Sequence, residues 1–203
     1  MLTACHTKIK EPVLGPGYKL NNVFAVSGTL PPELRRVAVL PIHIRTINFN
    51  NEDGKDNLTP ILLKELQKSG RFEIIPISPD EMIELSGRGS WPISDKFPLG
   101  FFTKIKEKTG ADCVLLTTLT QYSPYPPLQL GWETRLADEK RIIWSVDELF
   151  DAGNQEVANE AQRYYQHYFN KKEYLADAET VLRTPVQFGQ YTLDAIFRTI
   201  PPR

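Results

Sequence analysis

The feature that most constrains this chain is a stretch of about forty residues that reads as strand, helix and strand. Arg36-Val37-Ala38-Val39-Leu40-Pro41-Ile42 is a β-branched apolar run ended by proline. A run with no polar alternation reads as a strand buried on both faces. Residues 43–56 read as a polar loop. Asn57 or Thr59 can then cap a helix, Pro60 suits its first turn, and Ile61, Leu62, Leu63 and Leu66 form one apolar face before Gly70 ends it. Residues 71–77, RFEIIPI, read as the next strand. Such a βαβ unit implies a parallel pair with a right-handed crossover.

Downstream, Ser78-Pro79-Asp80-Glu81 starts a helix that runs to Leu85, a loop covers Ser86–Pro98, and a further helix spans 100–108. Asp112–Gln121 reads as a third strand. In LQLGWETRL, Leu128, Leu130, Trp132, Thr134 and Leu136 share one face, while Gln129, Glu133 and Arg135 share the other. ADEK turns the chain, and RIIWSVDELFD pairs back as an antiparallel partner. Helices are expected at 155–170, 174–182 and 185–198. The fold class that follows is α/β (α+β), a single three-layer-type domain over 36–203. Its mixed parallel and antiparallel sheet has about five strands flanked by helices.

Composition narrows the function. The formal net charge is −1, so no electrostatic footprint of a nucleic-acid binder is expected. No GxxxxGK[ST] or GxGxxG is present, and Gly87-Arg88-Gly89 is a bare GxG in a loop. His6, His43 and His167 are scattered, without HxxxH or CxxC spacing, so no metal site and no cofactor are expected. No serine sits in GxSxG, so a hydrolase elbow is absent. Cys113 sits in an apolar strand and reads as a small hydrophobe. Asp147, Glu148 and Asp151 read as a solvated sheet edge that discourages aggregation. The alternative is an acid–base or ligand site of a soluble small-ligand domain or enzyme.

Residues 120–132, TQYSPYPPLQLGW, interleave aromatics with prolines. Polyproline geometry presents side chains outward, and Tyr and Trp are favoured interface anchors. Two readings stand. The stretch is a stiff loop covering the sheet edge, or it contacts a partner through Tyr122, Tyr125, Pro126, Pro127 and Trp132. Trp91, at the centre of the loop Ser86–Pro98, marks a second candidate surface.

Leu2-Thr3-Ala4-Cys5 resembles the lipobox of bacterial lipoproteins, in which the cysteine thiol takes a diacylglycerol and a peptidase cuts before it. The resemblance implies that Cys5 carries lipid and that residues 1–4 are the tail of a signal peptide. His6, rather than Asp, follows the cysteine and implies delivery to the outer membrane. Residues 5–35, rich in Lys, Asn, Pro and Gly, then read as a lipid-anchored tether. Extended, it would reach on the order of 100 Å. The competing reading is an incidental cysteine at a frayed terminus.

RRVAVLPI, LLKELQKSGRFEIIPI and TGADCVLLTTLTQY, followed by the long hairpin, resemble a group of bacterial envelope proteins. The group contains the curli secretion lipoprotein, the amino-terminal domain of TolB, LpoB and PelC. The match covers 36–151, and the shared fold resembles the anticodon-binding domain of tRNA synthetases. This chain lacks propeller repeats and plain barrel-forming insertions, so it most resembles the compact lipoprotein members. Those are non-catalytic and recruit, activate or form rings in the periplasm. The resemblance therefore implies the outer membrane and other envelope proteins as partners, with a homo-oligomer or ring among the assemblies.

Overall fold

The computed structural model describes residues 14–45, 49–169 and 178–203. Its seven strands are β1 (Val23–Ala25), β2 (Arg36–Val39), β3 (His43–Ile44), β4 (Glu73–Pro76), β5 (Cys113–Ser123), β6 (Gln129–Ala137) and β7 (Ile142–Asp151). They form one mixed sheet in the order β1-β7-β6-β5-β2-β4, with β3 also paired to β5. β2 is parallel to both β4 and β5, and β5-β6-β7-β1 is antiparallel throughout. The helices are α1 (Phe49–Lys68), α2 (Pro79–Ser86), α3 (Phe101–Thr109), α4 (Gln155–Phe169) and α5 (Pro185–Phe197), with a short 3-10 turn at Ala178–Leu182.

The expected α/β class and the five expected strands are present, and two strands are added. β3 lies within residues read as loop. It continues the line of β2 along β5 after Pro41, which has no N–H to donate. Leu40 N donates to Leu115 O at 3.0 Å before that break, and Arg45 N donates to Leu119 O at 3.1 Å after it. β1 lies within the expected tether, in register with β7 through Val23↔Val146 and Ala25↔Trp144. The boundary placed at residue 36 is therefore corrected. Leu30 and Leu34 are each only 4% exposed, inside the main core. Leu30 N donates to Pro202 O at 2.8 Å, which ties this segment to the carboxyl end of the chain.

Each face of the sheet has its own core. Val37, Val39, Leu115, Leu119, Trp132 and Phe150 pack with Leu58, Leu62 and Leu66 of α1 and Phe188 and Ile196 of α5. Ala38, Leu40, Val114 and Leu116 pack on the other side with Met82 and Leu85 of α2 and Phe101 and Ile105 of α3. α1 and α2 thus cover opposite faces, which makes three layers.

α1 begins earlier than the caps at Asn57 and Thr59 suggest. It runs through Gly54, where an added Cβ would lie 2.8–2.9 Å from the Tyr122 ring. That glycine marks a close approach and not a turn. Of the helix expected at 174–182, residues 178–182 form the 3-10 turn, and 174–177 lie outside the described residues. Glycine is also required at Gly131, opposite the irregularity between Leu119 and Gln121. A Cβ there would sit 3.0 Å from Gln121 N and also crowd Thr120 Oγ1. Gly131→Ala is expected to cost about 1–3 kcal/mol. A lowered urea midpoint at unchanged slope would register it.

Cys113 is 2% exposed, and its thiol lies 3.7 Å from Arg36 O. Burial first, then the nearby Asp112 and Asp138 charges, pushes the thiol up to about 12. The reactive species is the thiolate. Cys113 is therefore expected to resist iodoacetamide at pH 8 in the folded protein and to react fully in urea, as peptide mass mapping would record.

Candidate functional site: the amino-terminal strap and the proline turn

Residues 14–22 are a strap laid along α4 and the end of β7. Its centre is one carboxylate. Glu148 accepts from the Tyr18 hydroxyl at 2.6 Å and from the backbone N–H groups of Asn21 and Asn22 at 3.0 and 3.4 Å. A hydrogen bond to an ionised acceptor is about twice as strong as a neutral one. The Tyr18 ring meets Phe150 edge-on at 5.7 Å between centroids. Burial, and next the Glu148 bond and charge, raises the Tyr18 hydroxyl well above the ordinary tyrosine range, so it stays a donor.

α4 supplies the rest of the grip. Glu156 O accepts from Tyr18 N at 3.1 Å. Asn159 Nδ2 donates to Pro16 O at 3.0 Å, and Arg163 donates to Leu14 O at 3.2 Å and to Gly15 O. These residues lie on successive turns, because positions three and four apart share a helix face. The strap thus runs from Tyr18 back to Leu14 as α4 runs forward from Glu156 to Arg163.

The acidic group at 147–151 is built into this arrangement and does not converge on a shared point. Asp147 is exposed, and its N–H donates to Asn22 O at 3.2 Å. Asp151 accepts from Gly153 N at 2.7 Å and from Gln129 Nε2 at 3.0 Å, closing the turn before α4. Among the described residues, no group of three or more His, Cys, Asp or Glu is placed to hold a metal ion. No helix among them is long and apolar enough to cross a membrane.

The candidate partner residues separate. Trp132 is fully buried, and its Nε1 donates to Thr192 Oγ1 of α5 at 3.1 Å. Tyr122 is 9% exposed, with its ring against α1. Trp91 is 6% exposed and stacks on Phe97 at 5.5 Å, so the loop Ser86–Pro98 closes the second core. These three are corrected from surface to core. The alternation of period two already placed Trp132 inward, and its aromatic character alone suggested an interface. Tyr125 is 71% exposed, and Pro126 and Pro127 are exposed beside it. This turn joins β5 to β6, and Pro127 lies close to Gly153, at the end of the sheet where the strap crosses β7. Cys5 lies outside the described residues.

Sequence reasoning missed Tyr18, Asn159 and Arg163. The signal was present in VFAV at 23–26, a short β-branched and aromatic run inside the expected tether.

No family model matches the chain, and no curated protein does. Among solved structures it is similar to a PelC dodecamer from Paraburkholderia phytofirmans. The TM-score is 0.47 and the identity 14%, over 90% of this chain and 99% of that one. It is also similar to lipoprotein GNA1162 from Neisseria meningitidis, with TM-score 0.41 and identity 16%, over 59% of this chain and 83% of that one. The hypothetical protein CT253 from Chlamydia trachomatis gives TM-score 0.45 and identity 16%, over 82% and 93%. At such identities no residue role passes from those proteins to this one.

Tyr18→Phe removes the central strap bond and leaves the ring packing. It is expected to cost about 1.5–3 kcal/mol, the range for a hydrogen bond to a charged group. Limited trypsin digestion would read the local effect: cleavage after Lys19 should accelerate several-fold while the carboxyl-terminal core resists as before.

Proposed function

We propose that this protein is a lipid-anchored envelope protein that acts in the periplasm as a non-catalytic assembly or accessory subunit. Cys5 holds it to the outer membrane in this reading. The observation that carries the reading is the lipobox-like Leu2-Thr3-Ala4-Cys5 placed shortly before a strap that grips the domain. The resemblance of RRVAVLPI, SGRFEIIPI and TGADCVLL to envelope proteins supports the same conclusion.

The strap shortens the tether that the sequence suggested. Eight residues separate Cys5 from Leu14, which makes nine Cα-to-Cα steps. At full extension they span about 30 Å. An acylated Cys5 would therefore hold the domain next to its membrane and not far out in the periplasm. Two or three acyl chains suffice for durable attachment at about 0.8 kcal/mol per buried methylene. Partner contact then falls to exposed surface, for which Tyr125, Pro126 and Pro127 are the strongest candidates left. Pro lacks an N–H and cannot extend a ladder, so a partner would be met through side chains.

Growth with an alkyne fatty acid, followed by fluorophore coupling, tests the anchor. Label is expected on the wild type and not on Cys5→Ala, with the variant moving from the detergent phase to the aqueous phase. Equal labelling of both would end the reading.

A further inference from the structure

β2 and β4 are adjacent and parallel, and the chain leaves them in opposite directions. After β2 it passes to α1 on one face of the sheet, and after β4 it passes to α2 on the other. Divergence of this kind opens a crevice at the carboxyl ends of the two strands. In open α/β sheets that is where ligands bind.

Here the crevice is a cavity of about 400 Å³ lined by His43, Lys55, Pro79, Arg88, Gly89 and Ser90. That volume lies within the ordinary range for small-molecule sites. Its lining is one-sided in charge, with a lysine, an arginine, a histidine and a hydroxyl but no carboxylate. His43 Nδ1 and Ser90 Oγ are 3.1 Å apart and hold each other in place. Arg88 lies over the Trp91 ring, 4.9 Å from its centre, and gives one donor to Asp95 at 2.8 Å. A guanidinium has five N–H donors, so the Asp95 contact fixes the group without exhausting it. The lone Gly87-Arg88-Gly89 does not supply a backbone cradle, and here side chains do the work instead.

We propose that this crevice binds the phosphoryl group of a phosphate ester, with Lys55 and Arg88 supplying the charge and the His43–Ser90 pair donating to its oxygens. A carboxylate has two oxygens to offer, whereas a phosphate monoester has three terminal ones. That larger number matches a lysine, an arginine fork, a hydroxyl and an imidazole converging on one site.

Protonation gives the site a direction. Burial lowers the basicity of His43; Asp95 opposes this, and Arg88 and Arg45 add to it. The imidazole is therefore neutral near pH 7 in the free protein. A bound anion favours the imidazolium, so binding raises the proton affinity of His43.

Amide-detected NMR titration of the full, unacylated chain tests the proposal, with glycerol 1-phosphate as a soluble monoester and vesicles containing phosphatidic acid as a lipid source of the same group. Saturable shifts at Lys55, Gly89 and Ser90 are expected. Arg88→Ala and Lys55→Ala should each weaken binding about tenfold, the scale of one charge-assisted hydrogen bond. Both side chains reach the surface, and an unchanged spectrum elsewhere would show that the variants fold. Shifts with the soluble ester identify a small phosphorylated ligand, and shifts with vesicles alone identify a lipid headgroup; either sustains the site. Absence of saturable shifts in both arms would overturn it, as would equal binding by wild type and Arg88→Ala. The inference is independent of Cys5, and its failure would leave the anchor reading untouched.

Discussion

Val37 and Val39 point into one core while Ala38 and Leu40 point into the other, so β2 is dry on both faces. β5 repeats the arrangement with Cys113 and Leu115 against Val114 and Leu116. Burying each valine or leucine contributes about 1.5–3 kcal/mol. A strand of this kind cannot sit at an edge or carry a wet face. It has to be flanked by strands and covered above and below, which forces helices onto both sides. The three-layer architecture and the crevice between β2 and β4 both descend from that requirement.

Much of this was legible because burial on two faces writes an unbroken apolar run, and burial on one face writes an alternation. Both signals are local, and they placed β2, β4, β5, β6, β7, α2 and α3 within a few residues. The misses share a different cause. β3 has two residues and exists because β5 is long enough to pair with it beyond Pro41. Gly54 falls in residues read as loop, yet it lies inside α1, and it is glycine because the Tyr122 ring leaves no room for a Cβ. The strap depends on Glu148, 130 positions away from Tyr18. No window of sequence contains such pairs. The aromatic residues failed for a related reason. Composition identifies Trp91, Tyr122 and Trp132 as large anchors but not whether the surface they anchor is inside or outside.

Three features meet at one end of the sheet. β2, β4 and β5 are parallel, so the crevice and the turn after Ser123 lie at the same end. β7 runs antiparallel to β6 and ends at Asp151 on that end, beside the strap. From β2 to β7 there are three strand spacings, which is about 15 Å. The proline turn and a basic crevice therefore share a single rim, and both depend on loops that a rigid sheet positions.

The grip of Glu148 on the strap changes how an anchored copy would explore space. A folded chain of this size has a radius of gyration of about 17 Å. A leash of about 30 Å is shorter than the diameter of the body it holds. On the proposed anchor, such a domain would diffuse sideways with its membrane but would have little freedom to rise or turn over. Encounters with other surface-bound molecules would then occur within a thin slab, in two dimensions and not three. Weak individual contacts are enough under those conditions, and a single tyrosine–carboxylate clamp would be what sets the thickness of the slab.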